Sequence, residues 1–150
     1  MARALIVGCG CRGRQLGEEL LAAGWAVRGT SRREGGLAAI TAAGIEPALA
    51  DPDRPATILE LVADVAVLVL LLGRASGSEE ELAAIHGPRL ERLLEHLVET
   101  PVRGVVYEGT PAGAEVLRAA GRTWRIPVEV LDREDDTAAA VAAILAGRHV

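Results

Sequence analysis

The sequence predicts an α/β fold: a six-stranded parallel sheet in the order 3-2-1-4-5-6, with helices on both faces. Three observations carry that prediction. Short apolar runs alternate with stretches of helical period along the 150 residues, with no low-complexity linker or internal repeat between them. Residues 65–72 are almost continuously Val and Leu, the pattern of a central strand covered on both faces. The opening segment passes from an apolar run through a glycine-rich turn to a helix and a second apolar run.

Residues 4–7 are the first strand. Gly8, Gly10 and Gly13 follow in G-x-G-x-x-G spacing, and Leu16, Leu20 and Leu21 recur at helical intervals until Gly24 stops the helix. Residues 25–29 read as the second strand. In that context Gly8 permits the tight turn, Gly10 lets the backbone approach a pyrophosphate, and Gly13 brings the helix close to the strand. The helix start offers unpaired N–H groups and the positive end of its dipole. This is the dinucleotide-binding start of a three-layer Rossmann fold. Its expected phosphate loop is Gly8, Cys9, Gly10, Cys11, Arg12 and Gly13. Arg12 and Arg14 lie in the first helical turn, where a cation is unfavourable without an anion nearby. They read either as phosphate contacts or as solvated arginines.

The end of the second strand selects the cofactor. An NAD site places a carboxylate there for the ribose 2′-OH, whereas this chain has Thr30, Ser31, Arg32 and Arg33. Two hydroxyls and two guanidiniums suit a 2′-phosphate, so the expected cofactor is NADP(H) rather than NAD(H). The other reading is a basic turn that follows a strand.

The later elements follow in order. Residues 37–43 form a short helix stopped by Gly44, and residues 45–50 a third strand ending at Asp51. Asp51 sits beside the adenine or caps the next helix; the two roles are compatible. A helix covers 56–63, and the strand 65–72 ends at Leu72 and Gly73, which join the cofactor-binding candidates. The loop 73–77 faces the same rim as the glycine turn. Ser78 caps a helix rich in early Glu, and Pro88 either kinks it or divides it into two. Leu90, Leu93, Leu94 and Leu97 hold core spacing. A fifth strand (103–108), a helix (112–124), a sixth strand (128–131) and a last Ala-rich helix (137–145) complete the chain.

Composition narrows the function. One domain over residues 1–150 is large enough for a core. Half the residues are hydrophobic, but there is no Phe, so that core is aliphatic. The net charge of −5, without a basic tail, argues against nucleic acid as a partner. No apolar run is long enough to span a bilayer and no leader peptide is visible, which makes the cytoplasm the expected location. All 16 basic residues are arginine. Cys9 and Cys11, one residue apart, are poorly spaced for a disulfide or a metal site. They read as small loop residues, with a reactive thiol at Cys11 as the alternative. His86 and His96 read as surface or helix-end residues.

Together these segments resemble the short-chain dehydrogenase/reductase superfamily in its extended and atypical, epimerase-like branches. The stretches that carry the resemblance are GCGCRGRQLGEELLAAGWAVRGTSR, GIEPALAD, IHGPRLERLLEHL and RGVVYEGT. It covers residues 3–110. It implies that Ser31 stands where NAD-dependent relatives carry an acid, and Arg32 where NADP-dependent ones carry arginine. It also implies Asp51 on the adenine side, Thr110 at the active-site hydroxyl position, and a homodimer through the helix 88–99. The family's Tyr-x-x-x-Lys dyad has no counterpart: the one tyrosine, Tyr107, lies in a strand, and there is no lysine. The substrate-binding portion of extended members is also missing from the sequence. Three functions are compatible with this pattern: a non-catalytic NADP(H)-binding or sensing module, an NADP-dependent oxidoreductase whose substrate site is completed by a partner subunit or the 73–77 loop, and an assembly domain that no longer binds nucleotide.

Overall fold

The computed structural model describes residues 2–132 and 135–147. Its strands are β1 (Arg3–Val7), β2 (Ala26–Ser31), β3 (Glu46–Leu49), β4 (Val67–Leu71), β5 (Gly104–Glu108) and β6 (Val128–Val130). They form one sheet in the order β3-β2-β1-β4-β5-β6, every pairing parallel, as the sequence predicts. The helices are α1 (Cys11–Ala22), α2 (Leu37–Ala42), α3 (Pro55–Leu59), α4 (Glu79–Ile85), α5 (Pro88–Leu97), α6 (Pro111–Trp124) and α7 (Thr137–Leu145).

Alternation along the strands separates two aliphatic cores. Leu5, Val7, Leu68, Leu70, Val105 and Tyr107 face a layer containing α3 to α6. Ala4, Ile6, Val67, Val69 and Val106 face α1, α2 and α7. Strands buried on both faces need no polar alternation, which explains the near-continuous apolar runs. The α5 leucines Leu90, Leu93, Leu94 and Leu97 are buried in the first of these cores.

Two boundaries differ from expectation, and at Pro88 one of two expected outcomes is realised. β2 runs on to Ser31, because Thr30 and Ser31 pair in register with Ala48 and Leu49 of β3. α3 ends at Leu59 rather than near residue 63: Arg28 on β2 donates to the Leu61 carbonyl at 2.8 Å and to Asp64, holding that segment as a turn. Pro88 divides the long helix into α4 and α5, occupying the first turn of α5, where its missing N–H costs nothing. Ser78 caps α4 as predicted, in a capping box with Glu81.

Candidate dinucleotide site

The chain leaves β1 toward β2 on one side and reaches β4 on the other, so the carboxyl ends of β1 and β4 border a crevice where open α/β sheets take their ligands. Two cavities open there. One of about 700 Å³ lies toward the ends of β2 and β3. Another of about 870 Å³ lies toward the ends of β4 and β5 and the start of α7. Gly8, Gly10, Leu71 and Arg74 border both, so the two are joined at the glycine turn.

The turn has the geometry its sequence predicts. Gly8 has φ +85°, and a side chain there would run into the Leu71 carbonyl. A Cβ on Gly13 would lie 3.1 Å from the Gly8 carbonyl oxygen and 3.2 Å from Ile6, so α1 packs hard against β1. Gly10 differs: a Cβ there would meet nothing within 4 Å, because the position faces open space. Gly10 is the N-cap of α1, which has no side-chain cap and no acidic residue in its first turn. Its leading N–H groups are therefore left for an anion. These residues fit a dinucleotide diphosphate.

The β2–β3 side brings together Thr30, Ser31, Arg32, Arg33 and Asp51 around one cavity. Ser31 Oγ donates to the Arg33 carbonyl at 2.8 Å and accepts from the Arg33 N–H at 3.1 Å; it is spent on its own turn. Arg32 Nε stands 3.3 Å from Asp51 Oδ1, and Nη1 donates to the Ser76 carbonyl. Among the described residues, the guanidiniums of Arg14, Arg33 and Arg74 around this cavity have no ion pair. Asp51 does not cap α3, whose N-cap is Arg54; its Oδ1 instead accepts from the Asp53 N–H. Leu72 is buried at the same cavity, and its N–H donates to the Glu108 carbonyl.

The β4–β5 side holds a residue that the sequence reading missed. Glu108, at the end of β5, has its side chain 8% exposed and lines the larger cavity with Gly73. Arg12 Nη1 is 2.7 Å from Glu108 Oε2, and the same guanidinium reaches Thr137 Oγ1 and the Asp132 carbonyl. Arg12 is thus not a solvated arginine: without ligand it ties α1 to β5 and α7. No donor meets Glu108 Oε2 along a hydrogen-bond direction. The missed signal was a charge closing an otherwise apolar strand. Thr110, the expected hydroxyl, lines neither cavity: its Oγ1 accepts from the Gly113 N–H and caps α6.

The remaining titratable candidates divide by burial. Both thiols are free. Burial pushes Cys9 up to about 11, against the opposing charge of Arg14. Cys11 is exposed at the cavity edge. Tyr107 is a core residue, as expected, and His86 is the expected helix-end residue, at the C-cap of α4, but buried: its Nδ1 lies 2.6 Å from Tyr107 Oη, under the sheet and away from both cavities. Among the described residues no His/Cys/Asp/Glu cluster could hold a metal ion. No described helix is long and apolar enough to cross a membrane.

No family model and no curated protein matches the sequence. Solved structures do match the fold. UDP-N-acetylglucosamine 4-epimerase from Bacillus cereus superposes with a TM-score of 0.67 at 15% identity, over 88% of this chain and 53% of the epimerase. The triphenylmethane reductase of Citrobacter sp., solved in complex with NADP(H), gives 0.66 at 18% identity, over 88% of this chain and 49% of that one. The chain thus spans about half the length of both. The NAD(P)-binding domain of an exopolyphosphatase-related protein from Archaeoglobus fulgidus gives 0.62 at 18% identity, and there the match covers 98% of this chain and 99% of the other. The fold these structures share with this chain is the Rossmann fold.

Proposed function

We propose that this chain binds a nicotinamide dinucleotide, NADP(H) in preference to NAD(H), as one domain over residues 1–150. The observation that carries the proposal is the ring of unpaired guanidiniums, Arg14, Arg33 and Arg74, around a cavity bordered by the bare Gly10 position. Three cations with no ion-pair partner among the described residues suit a ligand that brings three phosphates, and no carboxylate stands at the end of β2 to receive a ribose 2′-OH. The adenosine half then occupies the β2–β3 cavity and the nicotinamide half the β4–β5 cavity. The superposition on an NADP(H) complex and on an NAD(P)-binding domain supports a nicotinamide dinucleotide as the ligand.

The lack of a Tyr-x-x-x-Lys dyad favours a binding or sensing module. The burial of Glu108 at the nicotinamide end favours a second reading, an NADP-dependent oxidoreductase in which this carboxyl group exchanges the proton that accompanies hydride transfer. Two free thiols accord with a cytoplasmic setting. The homodimer that the family resemblance implies would have to use the polar face of α5, since its leucines are buried.

Titration of the purified protein with NADPH and NADH, followed by calorimetry and by Trp25 and Trp124 emission, tests the proposal. Tighter binding of NADPH supports it; equal affinities reject the cofactor preference, and silence with both rejects the dinucleotide. NADPH consumption with a panel of carbonyl compounds, lost in Glu108→Gln, separates enzyme from module.

A further inference from the structure

Glu108 is an expensive residue where it stands. The rest of β5 is fully buried, and an aliphatic side chain at its end would extend the core. A buried ion pair seldom outperforms apolar packing, so stability does not account for it. Among the described residues its charge is matched by a single cation, Arg12, at 2.7 Å, and Oε2 has no aligned donor. Arg12 is the second residue of α1, in the same first turn whose N–H groups face the diphosphate position. The guanidinium that neutralises Glu108 is therefore also one that bound phosphates would attract.

We propose that dinucleotide binding is coupled to proton uptake at Glu108: the phosphates draw Arg12 away from the carboxylate, and Glu108, left buried without its counter-ion, takes a proton from solvent. This rests on the dinucleotide reading above and deepens it. A carboxylate buried in low dielectric without a partner favours its neutral form. The other charged groups around the cavity do not replace Arg12. Glu19 on α1 and Asp135 and Asp136 before α7 are acidic and offer no counter-ion, while Arg74 after β4 faces both cavities and is drawn toward the same phosphates. The Asp132 carbonyl is a ligand of Arg12, not of Glu108.

The test is calorimetric titration with NADPH between pH 6 and pH 8, in buffers of different ionisation enthalpy, for the wild type, Glu108→Gln and Arg12→Met. The wild type takes up close to one proton more per NADPH than Glu108→Gln, and its Kd weakens with rising pH by about a hundredfold more across that range. Comparison with the variant cancels titration of the 2′-phosphate. At pH 8, Glu108→Gln binds NADPH more tightly than the wild type, because Arg12 is already free. Arg12→Met, with Glu108 neutral before binding, loses the extra proton as well and keeps the test open if Glu108→Gln fails to fold. Equal proton counts in the wild type and both variants, with NADPH bound, overturn the coupling alone. If the wild type binds neither NADPH nor NADH, the dinucleotide reading fails and the coupling with it.

Discussion

Arg32 stands 3.3 Å from the Asp51 carboxylate and donates to the Ser76 carbonyl at 3.1 Å, so one side chain ties the tips of β2 and β3 to the loop after β4. Both partners are about a third exposed, and a pair in that position contributes about 0–1 kcal/mol. A charge-assisted hydrogen bond to a phosphate is worth about 1.5–3 kcal/mol. The larger quantity decides that Arg32 exchanges Asp51 for a 2′-phosphate when one is present. Arg32→Ala is then expected to weaken NADP(H) by about tenfold and NAD(H) by less than about twofold. Asp51→Asn, which removes the competitor, strengthens NADP(H) a few-fold. Fluorescence titration of both dinucleotides measures this, and equal losses on the two would reject a 2′-phosphate contact.

The glycines of the turn separate binding from folding. A Cβ at Gly10 enters open space, so Gly10→Val should leave the melting temperature within a degree or two while blocking the dinucleotide. Gly8 combines φ +85° with a clash against the Leu71 carbonyl, and Gly8→Ala should cost about 2 kcal/mol or more of stability. Thermal melts with and without NADP⁺ check both: a Gly10→Val variant that still shows a ligand shift removes the glycine turn from the site.

Most of the fold was legible because its signals are local. Apolar runs, glycine stops and the cap at Ser78 each depend on a few adjacent residues, and they fix the alternation from which the strand order follows. The positions of Gly8, Gly10 and Gly13 were legible for the same reason. What escaped was pairing between distant residues. Nothing near Arg12 in sequence announces Glu108, nothing near Arg32 announces Ser76, and the Tyr107–His86 contact joins β5 to the end of α4. Arginine reach also shortened α3, since Arg28 claims a carbonyl from a segment whose own pattern is helical. Thr110 resembled a catalytic hydroxyl by position, and only the Gly113 N–H shows that it caps α6.

The two thiols should differ sharply in reactivity. Cys9 is buried against Gly29 and Gly13, with its thiol pushed up to about 11 by burial, so almost no thiolate forms at neutral pH. Cys11 is exposed at the rim of the larger cavity. A disulfide reagent added to the native protein at pH 8 is expected to titrate one thiol quickly and the second only in denaturant. Saturating NADPH should slow the fast thiol. Two equally fast thiols would show that the glycine turn opens in solution.

Tyr107 and His86 set the acid limit of the fold. Tyr107 Oη accepts from the Thr110 N–H at 3.0 Å and lies 2.6 Å from His86 Nδ1, so the pair pins the β5–α6 turn to the end of α4. Burial lowers the His86 pKa from its ordinary 6.5. The unfolded chain therefore takes up the proton at a higher pH than the folded one. Stability from the neutral, buried imidazole is complete above pH 6.5 and is lost as pH falls from there toward the lowered folded value. Urea midpoints at pH 8 and pH 5.5 are expected to differ in the wild type and to converge in His86→Gln, which keeps an acceptor for the tyrosine but does not titrate. Tyr107→Phe strands the buried imidazole and the Thr110 N–H, and should cost about 1–3 kcal/mol at pH 8. If His86→Gln retains the wild-type slope between those two pH values, the acid sensitivity belongs to other groups and the buried imidazole is protonated as easily as a free one.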